Sequence, residues 1–123
     1  MYYKPNHTAI KVMNLKESIK FYEKAFAFKM CLYRYYEESG VETAFMKAEN
    51  HDMLLQIISF PFDIVPQTDY GHFSVSVEDA AKSYSEHKSN NFNLGPLTNL
   101  GYQISYFIKD PNGYETEVIQ SIE

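Results

Sequence analysis

The chain carries one short pattern twice, and no other feature narrows its possible folds so far. Residues 7–12 read HTAIKV and residues 72–77 read HFSVSV; each opens on histidine, alternates, and ends on valine. A helix start follows each, MNLKESIKFY after Val12 and EDAAKSY after Val77. At an offset of 65, Asn14 meets Asp79, Leu15 meets Ala80 and Ser18 meets Ser83. Each copy also closes on a strand-like run holding a polar residue where an apolar one is expected, Gln56 in MLLQII and Glu117 in YETEVI. Such self-similarity means one supersecondary unit used twice.

The unit can be read residue by residue. Thr8, Ile10 and Val12 take one face of the first strand, and His7, Ala9 and Lys11 the other. Asn14 is an N-cap with Glu17 as its capping-box partner, and Leu15, Ile19, Tyr22 and Phe26 form the apolar stripe of a helix. The β-formers at 29–36, the turn Ser39-Gly40 and the runs 43–48 and 53–58, joined by ENHD, complete β-α-β-β-β. Residues 59–70 hold two prolines and no period, so they connect the modules. The second copy starts at Gly71, with Phe73, Val75 and Val77 facing a helix capped by Asp79 and packed through Ala80, Tyr84 and His87. A loop with Gly95-Pro96 leads to strand 103–109, the turn Asp110-Pro111-Asn112-Gly113 and strand 114–120. The fold expected is therefore α+β: one domain, 1–123, made of modules 1–58 and 71–123 joined by linker 59–70. Each module is an open mixed sheet curved around a cup.

The totals exclude several functions. A net charge of −5 gives no bulk attraction to nucleic acid or anionic membrane. No charged-then-apolar leader and no apolar run of membrane-spanning length is present, and the lone Cys31 fits a reducing cytoplasm. Eleven Tyr and nine Phe without Trp suit a core, an apolar pocket or a subunit interface.

The face opposite the helix is small and polar in both first strands, which marks the wall of a cup. If ENHD and DPNG are the hairpin turns, Phe45 faces Gln56 and Tyr106 faces Glu117, so each polar residue has an aromatic neighbour. Two cups about a pseudo-twofold axis would gather His7, Gln56, His72 and Glu117 around one point. Two imidazoles, an amide oxygen and a carboxylate suit a divalent transition ion with room for water. His51 in a turn and His87 on the second helix read as solvated or structural, and Cys31 has no setting that activates a thiolate.

These segments resemble the vicinal oxygen chelate (glyoxalase/bleomycin resistance/dioxygenase) superfamily, and within it glyoxalase I. HTAIKVMNLKESIKFYEKAF is similar to that family's opening strand and helix, GHFSVSVED to its second module start, and FIKDPNGYETEVI to its closing hairpin. The resemblance implies metal ligands at His7, Gln56, His72 and Glu117, with Ni, Zn, Co or Mn as candidates. It implies a homodimer with cups shared between chains, and a small-molecule hemithioacetal substrate isomerised through an enediolate. Glu117 would be the catalytic base, with Lys11, Phe45 and Tyr106 binding substrate. Departures from the family are Gln56 for a glutamate, Lys11 for an arginine, Phe60 for an asparagine and Thr68 for an arginine. Superfamily alternatives are a ligand-sequestering, bleomycin-resistance-like protein, an epimerase or a dioxygenase. An epimerase would want a glutamate near Thr43, and Glu42 is expected on the wrong face for that role.

Overall fold

A computed structural model describes residues 1–69 and 71–122, in two compact units, Met1–Gln67 and Thr68–Glu123. The division falls inside the stretch read as a connection, of which Tyr70 lies outside the described residues.

The first unit runs β1 (His7–Val12), α1 (Leu15–Phe26), β2 (Lys29–Tyr36), β3 (Val41–Lys47) and β4 (Leu54–Ser59). Its sheet order is β1-β4-β3-β2, with β1 parallel to β4 and the other pairs antiparallel. A parallel return to β4 is possible because α1 supplies the crossover and covers one face. Asn14 begins that helix: its side-chain oxygen accepts from the Glu17 N–H at 3.0 Å. Ala27 ends it in the left-handed region at φ 57°, its N–H returning to Glu23 O. The buried stripe is Leu15, Ser18 and Tyr22, with Ile19 and Phe26 only half-buried. Beneath it Ile10, Val12, Ala44, Met46, Leu55 and Ile57 are all buried. Each large apolar side chain so buried contributes ~1.5–3 kcal/mol. The opposite face of the sheet therefore holds His7, Ala9 and Lys11, as their alternation requires.

The second unit runs β5 (Phe73–Ser76), α2 (Ala80–Ser89), β6 (Asn93–Leu94), β7 (Thr98–Asn99), β8 (Gln103–Lys109) and β9 (Glu115–Ser121). β5 lies parallel to β9, β9 antiparallel to β8, and β6 and β7 both pair with β8. The strand that is continuous as β2 in the first unit is thus split here, because Gly95-Pro96-Leu97 interrupts it and Pro96 has no N–H for the ladder. Asp79 caps α2 by accepting from the Lys82 N–H at 3.0 Å.

The closing hairpins differ by one residue, and this corrects one expectation. Phe45 pairs with Gln56 as read, but Phe107, not Tyr106, pairs with Glu117. Residues 48–53 connect β3 to β4, whereas the shorter 110–114 connects β8 to β9. Asp110 tightens the second turn: its Oδ1 accepts from the N–H groups of Asn112 and Tyr114, both at 2.9 Å. Its own N–H donates to Tyr114 O at 2.8 Å, and Gly113 supplies the positive φ, 89°. A one-residue slip reverses the face of every side chain. Tyr106 consequently lies under α2, 1% exposed, and is no wall of the cup.

Candidate metal centre

In the first unit, Ala9, Gln56 and Phe45 are register partners across β1, β4 and β3, so they share a face. His7, two residues before Ala9, is on that face too, its ring edge-on to Phe45 at 5.4 Å. Asn6 Oδ1 lies 2.6 Å from His7 Nδ1, so Nδ1–H donates to it, and of the two ring nitrogens Nε2 is the one left to face a ligand. Gln56 Nε2 donates to Thr43 Oγ1 at 2.9 Å, and Thr43 is buried. That bond commits the amide nitrogen and leaves the amide oxygen as the end able to take a cation.

The second unit repeats the plan. Ser74, Glu117 and Phe107 are register partners across β5, β9 and β8. The His72 ring stands edge-on to Phe107 at 5.1 Å, and its Nε2 lies 3.1 Å from Glu117 Oε1. Gln103 Nε2 donates to Glu117 Oε2 at 3.3 Å, so both carboxylate oxygens are held. His72 is half-exposed and Glu117 largely shielded, with side-chain exposures of 44% and 13%.

Each unit therefore presents one histidine and one oxygen donor beside one phenylalanine. The donors fit a divalent ion. Two ligands at ~2.1 Å from a metal and at right angles to each other lie ~3.0 Å apart, close to the His72–Glu117 spacing. Asn6, Thr43 and Gln103 supply the outer hydrogen bonds that orient such ligands. Among the described residues no group of three or more His, Cys, Asp or Glu is arranged to hold a metal; the half-sets are two donors each.

Other candidates resolve simply. Tyr106 donates or accepts at Ser83 Oγ (2.6 Å) and His87 Nδ1 (2.7 Å), which makes both Tyr106 and His87 structural. Burial pushes the Tyr106 phenol up, against the opposing Ser83 bond. Glu42 lies on the α1 side, paired with Ser59, and accepts from the Tyr33 hydroxyl; that bond pushes the Tyr33 phenol up. Glu42 thus cannot act on the Gln56 face. A cleft of about 720 Å³ on the α1 side, between Lys16, Lys20, Tyr33 and Glu42, is likewise turned away from His7. Lys11 Nζ sits over the Phe60 ring at 5.9 Å. Cys31 is exposed, its Sγ directed at Phe45 O at 3.4 Å. Asn6, Gln103 and Phe107 are site residues that the repeat pattern does not single out. The adjacency of Asn6 to His7 and the corrected β8 alternation are the signals that reveal them.

Two units of like topology, each a sheet with a His and an oxygen donor on the same face, define a fold shared with known proteins. The chain belongs to the Glyoxalase/Bleomycin resistance protein/Dioxygenase superfamily, whose model matches residues 4–118. A lactoylglutathione lyase of Neisseria meningitidis is 29% identical over 122 residues, covering 93% of this chain and 88% of that protein. The trypanothione-dependent glyoxalase I of Leishmania major has the same fold at TM-score 0.79 and 22% identity, over 97% of this chain and 87% of its own. An antibiotic-binding protein of Streptomyces, TnmS3, also has it, at TM-score 0.83 and 12% identity over 98% and 97%. No helix among the described residues is long and apolar enough to cross a membrane.

Proposed function

We propose that the protein is a cytoplasmic, metal-dependent lyase of the glyoxalase I type, isomerising the hemithioacetal of a 2-oxoaldehyde and a thiol. The observation that carries this reading is the His72–Glu117 pair, 3.1 Å apart, with its counterpart His7 and Gln56 on the equivalent face of the first unit. His7, Gln56, His72 and Glu117 would together hold one divalent ion, Ni, Zn, Co or Mn, pooled between the chains of a homodimer. That ion would supply Lewis-acid polarisation of the two adjacent substrate oxygens.

The proton traffic falls to Glu117. It is the one carboxylate among the four donors, because Gln56 occupies the corresponding place in the other half. Glu117 takes the proton from the carbon bearing sulfur and returns it to the neighbouring carbonyl carbon, while the hydroxyl proton passes to the oxygen of that former carbonyl, so the product is an isomer of the substrate. Gln103, donating to Oε2, holds the carboxylate in place for both transfers. Phe45 and Phe107 wall the substrate beside the donors, and Lys11 attracts its negative end.

Glu117→Gln is the test, because it keeps an oxygen ligand of nearly the same shape that cannot accept a proton. Metal content should hold while turnover of a methylglyoxal–thiol adduct falls ~10²–10⁴-fold. Unchanged turnover would exclude Glu117 as the base. A metal-loaded wild type inert with every thiol adduct would favour the second reading, a ligand-sequestering protein. The departures at Lys11 and Phe60, stacked on one another, are the feature that favours that reading.

A further inference from the structure

The His7 face of the first unit carries a charge pattern that the metal donors do not explain. Arg34 is the only arginine in the chain. It pairs with Thr43, whose partner on β4 is Ile58, whose partner on β1 is Lys11. Lys11, Ile58, Thr43 and Arg34 therefore form one row across all four strands, on the face that holds Gln56. Cations end the row at both sides. No Asp or Glu stands at the alternate positions that β1 to β4 give to this face, although the chain as a whole is net −5.

The repeat supplies the control. Thr98 pairs with Ser105 as Arg34 pairs with Thr43, and Ser76 stands where the offset puts Lys11. The corresponding sheet of the second unit, its edge strand split into β6 and β7, thus forms with Thr98 and Ser76 at these places, so the pairing itself requires neither cation. Arg34 is exposed and makes no ion pair or hydrogen bond with another described residue. A guanidinium with no partner among the described residues, on a strand face without carboxylates, is a fork set for a carboxylate or phosphate.

We propose that Arg34 determines specificity by binding the anionic arm of the substrate, a carboxylate or phosphate lying along the Lys11–Arg34 row. That row is two residues from the Gln56 row, ~7 Å along the strands. The substrate so defined carries its negative group a few bonds from the reacting carbons. This deepens the proposed function by naming the substrate class, and it rests on that reading.

The experiment compares the methylglyoxal adduct of 3-mercaptopropionate with that of 2-mercaptoethanol, which has no charge. Arg34→Gln should lower the ratio of their kcat/KM values ~10- to 100-fold, the loss of a charge-assisted pair, with metal content held. Arg34→Lys should recover part of the ratio, because charge returns without the fork. An unchanged ratio in Arg34→Gln overturns the proposal. Calorimetric binding of 3-(methylthio)propionate and of its methyl ester tests the anion site without turnover. Preference for the acid that disappears in Arg34→Gln supports the site even if no adduct reacts; equal binding of acid and ester by wild type overturns it. Methylphosphonate, run in the same way, tells a phosphate-type pocket from a carboxylate one.

Discussion

Replacing Tyr106 by Phe separates a core residue from a site residue. The change removes one oxygen from a ring that is 1% exposed. That oxygen lies 2.6 Å from Ser83 Oγ and 2.7 Å from His87 Nδ1, and His87 is itself 8% exposed. Ser83, half-buried, can turn its hydroxyl elsewhere; His87 Nδ1 cannot. A buried polar group left without its partner costs ~1–3 kcal/mol, so the variant should lose ~2 kcal/mol. With a urea m-value of ~1–3 kcal/mol per M, the unfolding midpoint should fall by ~1 M. In His87→Leu the same Tyr106→Phe change should cost less, leaving a coupling of ~1 kcal/mol in the double-mutant cycle. Alkaline pH gives an independent readout. The folded phenol ionises above its ordinary value of 10.0, so its contribution is complete below that pH and is lost as pH rises past the folded value. Tyr106→Phe should lack that alkaline loss. A normal urea midpoint combined with a raised KM for substrate would refute the argument and return Tyr106 to the cup.

Asp110→Ala removes a buried acceptor of two backbone N–H groups, and should destabilise the protein by ~2 kcal/mol in urea melts. Asp110→Asn, which keeps the acceptor oxygen, should recover most of it. Thr43→Val frees the Gln56 amide and should weaken metal binding ~10- to 100-fold in a competition titration, as losses in the outer hydrogen-bond layer do. An unchanged metal affinity would mean that Thr43 does not position Gln56.

The local elements were legible because their signals are local. Asn14 and Asp79 cap helices through bonds reaching three residues along the chain, and alternation alone separates His7 from Ile10. The duplicated histidines likewise pointed to a two-unit α+β chain, since a repeated pattern of this length buries its apolar face only by building the same unit twice.

Register was another matter. Phe45 opposite Gln56 followed from an ordinary turn, but the equivalent inference put Tyr106 where Phe107 belongs. Spacing between strands cannot tell a six-residue connection from a five-residue one when Asp110 draws the turn shut through its own side chain. The outer contacts of the site were equally hidden. Gln103 on Glu117 and Thr43 on Gln56 join residues 14 and 13 apart, across a hairpin whose register had first to be known. Residue types and their period singled out which side chains are candidates for chemistry and which residues alternate together within a strand. The tertiary structure decided which of them meet, because a shift of one residue in a sheet moves every side chain to the other side.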